Sequence, residues 1–303
     1  IAGYARHPNF AAVLIIGLGC EVNQIAALVD REGLTVDGQT IRTLDIQQAG
    51  GTRAAIDAGI AAVSALLPAA NAVQREPVSA AHLTVGLQCG ASDGYSALTA
   101  NPALGRAADL VVAAGGRVIL SETPEVFGAE NLLIERARNA AVADALRQRL
   151  AWWQDYAAGH GADLDNNPSP GNIAGGITTI LEKSLGAVAK SGTSPLNAVV
   201  DYAAPVTAPG FSFMDTPGYD PCSATGQIAG GANLIAFTTG RGSVFGSVPA
   251  PTLKLASNSA LAARMADDID IDCGRLITGA ATLDMLGEEI FSAMLALASG
   301  QRS

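Results

Sequence analysis

The stretch LTVGLQCGASDG, residues 83–94, decides the fold. Five residues of strand length and apolar character pass directly into a cysteine and an aspartate set among glycines. In an open parallel sheet, ligands gather beyond the carboxyl ends of the strands, where loops and helix N-termini converge. Residues 11–24, AAVLIIGLGCEVNQ, echo the pattern, with Gly-Cys followed by Glu21. There the apolar run reads as a buried strand over 11–19, and the spacing in NQIAALVDREG predicts a helix ending at Gly33. QTIRTLDI (39–46) alternates like a second strand, and the glycine pair at 50–51 opens a long helix. This β-α-β-α order predicts a parallel sheet, but two strands do not complete one, so further chain is expected upstream.

The polar, proline-containing QREPVSAAH (74–82) marks a boundary. The sequence thus reads as a partial α/β domain over 1–78 and a larger Rossmann-like α/β domain over 79–303. In the second, a helix is expected near 103–115, a strand at 117–122, and one long helix from about 128 to 158. Within that helix Trp152 and Trp153 are adjacent, so only one can point fully inward. The turn formers DNNPSPGN (165–172) are read as irregular, followed after Gly176 by a helix carrying Glu182 and Lys183. Strands at 210–215, 233–240 and 252–257 and helices near 223–232, 259–270 and 282–298 complete the prediction.

Composition narrows the function. The 303 residues carry 18 Lys and Arg against 28 Asp and Glu, a net charge of -10 that repels nucleic acid and anionic lipid. Neither nucleic acid nor a membrane is expected as a partner, and no uninterrupted apolar run reaches the length of a span. With 49% hydrophobic but only 5% aromatic residues, close packing of Ala- and Gly-rich helices on a sheet is expected. Four cysteines without a CxxC pair form neither a disulfide framework nor a structural zinc site, which fits reduced thiols in a cytoplasmic enzyme. The N-terminus lacks both an initiator Met and a signal pattern.

Polar, glycine-rich segments fall at successive strand ends: GCEVN, CGASDG, SETPE, DTPGYDP and TTGRGS. Cys89 and Cys20 each have an acidic neighbour and a glycine that lets backbone approach a ligand. Cys222 reads as structural, and Cys273, in DDIDIDCG, as part of a solvated helix end. Glu122 and Glu125 either cap the following helix or join Ser92 and Asp93 in a hard-cation site. Arg241 either grips a substrate carboxylate or pairs with a surface acid. His7, His82 and His160 lie near the N-terminus, at the boundary and after a helix, and give no triad. GxSxG, HExxH and GxxxxGK[ST] are absent, and no full dinucleotide fingerprint is present.

Five stretches carry a family resemblance: ANPALG (100–105), NNPSPGN (166–172), TTILEKSLGA (178–187), FMDTPGYDP (213–221) and TGQIAGGANLIAFTTGRGS (225–243). In these, and effectively along its whole length, the chain resembles the altronate and galactarate dehydratases and the related sulfolactate sulfo-lyase large subunit. The resemblance implies a lyase that removes water from a hydroxylated sugar acid, giving a 2-keto-3-deoxy product with a divalent metal, iron or manganese. It also implies a small N-terminal domain or separate small subunit, without which this portion is expected to be inactive, and it is compatible with a homo-oligomer. Two departures stand out. Glu130 is followed by Asn131 where the family has a glutamate-histidine pair, and Ala91 replaces a glycine.

Elimination β to a carboxylate requires a base, a cation for the enediolate and an acid for the leaving hydroxyl. The roles expected are Cys89, Asp93, Glu122 and Glu125 as metal ligands, with Lys183 or Lys190 as base if burial lowers its pKa. Glu130 is a further catalytic candidate. Ser92, Arg241, Asn167, Asp215 and Thr216 are expected at the substrate, with Cys20, Glu21 and Cys273 in reserve. Two alternatives stay open: release of sulfite from a sulfonated hydroxy acid, and a non-catalytic module that binds an acidic sugar.

Overall fold

A computed structural model describes residues 1–302, apart from the side chain of Asn166, and the chain divides into two compact units that meet in sequence at Val78 and Ser79. In the first unit, strands β1 (Val13–Gly17) and β2 (Ile41–Asp45) pair in parallel, Val13 opposite Ile41 and Gly17 opposite Asp45. Helix α1 (Ile25–Glu32) stops at Gly33, whose φ of +60° is the left-handed cap that glycine adopts without steric cost. Ile15, Leu34, Ile41 and Ala2 form its small core.

Helix α2 (Thr52–Asn71) follows β2. It is long and apolar enough, by length and composition, to cross a membrane, although only 11% of its apolar window is buried. Its apolar run is interrupted in the first turns by Arg53 and Asp57. Ile56 and Ile60 are more than half exposed, and they border a cavity of about 490 Å³ whose other walls include Leu14, Ile16, Leu44 and Ile46.

The second unit is built on seven parallel strands among the described residues. In chain order they are β3 (Thr84–Gly90), β4 (Arg117–Leu120), β5 (Leu196–Val200), β6 (Gly210–Met214), β7 (Leu234–Thr239), β8 (Thr252–Ala256) and β9 (Ile271–Asp272). Their spatial order is β5-β6-β4-β3-β7-β8-β9. The chain starts in the middle at β3, adds β4 beside it, crosses to the edge strand β5, comes back to fill the gap with β6, then returns to β3's other side with β7. That reversal is the switch point where an open α/β sheet parts its loops into a crevice. Strands covered on both faces read as continuous apolar runs, and Val85, Leu87, Ile119, Phe211, Phe213 and Phe237 are fully buried.

Helices α3 (Ala100–Ala113), α4 (Ala140–Gly159), α5 (Ile180–Ala189), α6 (Asp220–Ala229) and α7 (Leu283–Ala298) flank the sheet. The long helix expected over 128–158 is broken. A short helix, Asn131–Ile134, gives way to extended chain in which Arg138 N–H donates to the Leu196 carbonyl, and Asn139 then caps α4 through its side chain. Trp153 turns inward on α4 while Trp152 stays 53% exposed. The segment 165–172 is not wholly irregular either: Ser169 and Asn172 form a reciprocal capping box that starts a helix over Pro170–Ala174. The helix expected over 259–270 ends at Arg264. Strands β5 and β9 were not read from sequence; the one is a half-buried edge strand and the other spans two residues.

Candidate metal and substrate site

The carboxyl ends of β3, β4 and β6 converge. Cys89 is the penultimate residue of β3, and beyond β4 the chain turns through Ser121 and Glu122. Glu122 has a φ of +69°, a left-handed conformation that is costly for a residue with a side chain. Thr216, just past β6, holds it there: its hydroxyl accepts from Glu122 N–H at 2.9 Å and its carbonyl from Thr123 N–H at 3.0 Å. One turn on, Glu125 N–H donates to the Glu122 carbonyl. The ligand atoms of Cys89, Glu122 and Glu125 all lie within 4.8 Å of one another.

Two lysines from α5 close the cluster. Lys190, at the helix C-cap and fully buried, donates to Cys89 Sγ at 2.9 Å and pairs with Glu122 at 3.6 Å. Lys183 donates to Glu125 Oε1 at 2.8 Å and to Asn167 Oδ1 at 2.7 Å. A buried ammonium has to be paired, and a clamp behind α5 keeps these in place. Asp109 of α3 accepts from the backbone and hydroxyl groups of both Thr193 and Ser194. Arg136 grips the carbonyls of Gly192 and Ser194 and the Ser191 hydroxyl, with its guanidinium over the Phe211 ring.

The electrostatics follow from burial. Loss of water pushes the Cys89 thiol up to about 11, with Lys190 opposing. Burial, reinforced by Glu125, holds the Glu122 carboxyl well above the ordinary range. Burial also disfavours the charge on both lysines. For Lys183 it is outweighed by Glu125, and for Lys190 by Cys89, Glu122 and Glu125, so both sit above the usual lysine value. The condition under which either lysine could act as a base is therefore not met. Lys190, Cys89 and Glu122 are coupled, the ammonium favouring ionisation of its two acidic neighbours.

This donor set fits a divalent cation. Both Glu122 carboxylate oxygens are buried without a hydrogen-bond partner, a costly arrangement that a cation would relieve. One thiolate and two carboxylates suit a borderline or hard metal such as Fe2+ or Mn2+.

Behind the cluster, side chains from three strands and α6 form a buried polar network. Gln88 donates to Ser121, Ser223 and Gln227, Thr216 donates to Ser223, and Gln227 donates to the Leu87 and Ile119 carbonyls. Gly86 allows it: a Cβ there would lie 2.5 Å from Gln227 Oε1. Thr216 was expected at the substrate; the other residues of the network were not singled out from sequence, since a lone Gln or Ser on an apolar strand carries no local signal. Asp220, the first residue of α6, was also missed. Burial and Glu125 push its carboxyl up to about 6.

The remaining expected residues are distributed as follows. Asp93 is buried but turned to the loops after β7 and β8, accepting from Ser96, Ser257 and Asn258, so its oxygens are spent on tying loops together. Ser92 lines a small cavity that Lys183 also borders. Arg241 is exposed and donates to the Gly171 carbonyl, while its backbone N–H bonds the Ala91 carbonyl, two residues beyond Cys89. Asp215 accepts from Thr123 and from Trp153 Nε1, anchoring α4 to the turn that carries Glu122. Glu130 precedes the short helix Asn131–Ile134, with one buried carboxylate oxygen that has no partner. Cys273 is a core residue whose thiol is pushed up to about 12 by burial, not part of a solvated helix end. Cys20 and Glu21 belong to the first unit, where Glu21 accepts from the N–H groups of Leu18 and Gly19.

Comparison with known proteins accounts for nearly the whole chain. Residues 80–303 match the family model described as D-galactarate/Altronate dehydratase, C-terminal. Residues 1–71 match D-galactarate dehydratase/Altronate hydrolase, second domain. The chain is 40% identical to altronate dehydratase of Escherichia coli (strain K12) over 298 residues, 98% of this chain and 59% of the relative. It is 37% identical to galactarate dehydratase (L-threo-forming) of the same organism, over 100% of this chain and 59% of the relative. To (2R)-sulfolactate sulfo-lyase of Chromohalobacter salexigens it is 32% identical, over 100% of this chain and 77% of the relative, which is named subunit beta rather than a large subunit. The chain thus spans 59% of the length of the two dehydratases. On sequence and on the site it builds, the chain belongs to the D-galactarate/altronate dehydratase family.

Proposed function

We propose that the protein is a metal-dependent dehydratase of a sugar acid such as altronate or galactarate, giving a 2-keto-3-deoxy acid. The observation that carries this reading is the Glu122 carboxylate, buried without a hydrogen bond beside Cys89, Glu125 and two lysines at the strand ends. Cys89, Glu122 and Glu125 are the residues that would hold the divalent ion. Bound there, it supplies Lewis-acid stabilisation of the negative charge that develops on the substrate. The Lys183 ammonium, 10% exposed, is placed to steady an anion or protonate a departing hydroxyl, and Arg241 offers two-pronged donors to the carboxylate.

The proposal extends to the surroundings. A small domain or separate small subunit completes the enzyme, and the protein works in the cytoplasm. The test is an assay of the complete enzyme, with and without added Fe2+ or Mn2+, against altronate, galactarate and sulfolactate. Metal-dependent keto-acid formation from a sugar acid is expected. Sulfite from sulfolactate alone would favour the second reading, which the 32% identical relative and the absence of histidine at Asn131 keep in view. Ligand-induced stabilisation without turnover of any of the three would favour a binding module.

A further inference from the structure

The strand-end cluster offers three cation ligands and two paired lysines but no free base, and dehydration cannot start without one. Lys190 is fully buried and donates to Cys89, and Lys183 donates to both Glu125 and Asn167, so neither presents a lone pair. Glu122 is 1% and Glu125 6% exposed, and their carboxylates gather with Cys89 Sγ rather than meeting solvent. The histidines of the second unit stand elsewhere: His82 in the turn before β3, and His160 packed at a tilt against Tyr156 at the end of α4.

Asp220 stands differently. It opens α6, in a loop whose neighbours Gly218, Tyr219 and Pro221 are exposed, and is itself only partly covered. Its carboxylate reaches back over β3: a Cβ on Gly90 would lie 2.3 Å from Asp220 Oδ2 and 2.7 Å from the Phe237 ring. Gly90 follows Cys89 directly, so a side chain there would displace the carboxylate from the cluster's rim. On the same loop, a Cβ on Gly218 would lie 3.1 Å from Glu125 Cγ. Two glycines thus bring this loop down onto the cluster, and solvent reaches Asp220 before it reaches Glu122, Glu125 or Lys190.

Resting on the dehydratase reading, we propose that Asp220 is the catalytic base, the group that takes the proton from the substrate carbon next to the carboxylate. The C–H electron pair becomes the double bond of an enediolate. Its collapse expels the hydroxyl on the neighbouring carbon, which leaves as water with the proton that Asp220 then returns. The enol formed goes on to the keto acid, and Asp220 is again ionised.

The test compares Asp220→Asn and Asp220→Glu with the wild-type full-length enzyme on the sugar acid it turns over. Readouts are kcat, KM, bound metal by elemental analysis and thermal unfolding. Loss of a positioned base lowers the rate by about 10²–10⁴. Asp220→Asn is expected to lose kcat by that factor while melting temperature, metal content and KM stay near wild type, with partial recovery in Asp220→Glu. Retention of kcat within about threefold in Asp220→Asn overturns the inference. So does loss of metal from that variant, which would make Asp220 a ligand. Failure of the wild type to dehydrate any sugar acid sinks the dehydratase reading and this inference together; an active wild type with an active Asp220→Asn sinks only the inference.

Discussion

Single residues around the strand ends show how local strain and burial are tied to the site. Ala91 sits at φ +50°, left-handed for a residue with a Cβ, a conformation that glycine adopts without steric cost. The left-handed conformation costs an L-residue roughly 1–2 kcal/mol, and glycine gives back part of that in backbone entropy. Ala91→Gly is therefore expected to stabilise the protein by up to about 1 kcal/mol, read as a rise in thermal midpoint without loss of activity. Asp220 makes a pH-dependent prediction. Its folded pKa of about 6 lies above the ordinary Asp value of 3.8, so between these values the folded state binds more protons than the unfolded one. Its favourable contribution is complete below the lower value and lost as pH rises through the upper. Wild-type stability in metal-free buffer should thus fall relative to Asp220→Asn as pH rises from 4 to 7; parallel curves in denaturant titrations would refute this. Cys89, Glu122, Glu125, Lys183 and Lys190 were legible in the sequence because acidic, thiol and amine groups fall at predicted strand ends and on a predicted helix. Asp93 has the same sequence context, yet Ser257 and Asn258, far along the chain, claim its oxygens. Asp220 was illegible for the converse reason: its significance lies in the clearance over Gly90, which only tertiary contact reveals.

At the scale of elements, helix α5 is the part that places both lysines, and its C-terminus is pressed against α3. A Cβ on Gly105 of α3 would lie 2.2 Å from the Ala189 carbonyl and 2.9 Å from Gly192 N, backbone atoms that cannot swing aside. Gly105→Ala is expected to push the end of α5 away. Overpacking of this kind costs about 1–3 kcal/mol, and because Lys190 is the C-cap of α5, activity should fall further than stability alone accounts for. An alanine variant with unchanged melting and unchanged kcat would show that the two helices have more freedom than this packing allows. The sheet's central strands were readable because both faces are covered and their apolar runs are continuous. The edges were not: β5 follows Pro195 with one buried residue and then four half-buried ones, and β9 is too short to carry a pattern. The break before α4 likewise depends on Asn139 capping and on a hydrogen bond to Leu196, a long-range partner invisible to helical spacing.

On the whole-molecule scale, the two units differ in how fully they cover their apolar surface. The sheet of the second is buried on both sides, whereas α2 in the first leaves Ile56, Ile60 and Leu67 at least half exposed. If further polypeptide covers this face in the intact protein, Ile60→Lys should destabilise it by about 1.5–3 kcal/mol, the worth of one buried aliphatic side chain; an unchanged melting curve would mean that the face is open. The chemistry rests on one physical statement, that a thiol, two carboxylates and two lysines on separate elements make a cation site at the sheet's switch point. Anomalous diffraction from crystals of the full-length enzyme grown with Mn2+ tests it most directly. The account predicts a single strong peak within bonding distance of Cys89 Sγ and the carboxylates of Glu122 and Glu125, absent in Glu122→Gln. An active enzyme whose peak lies elsewhere, or that shows none, would contradict it.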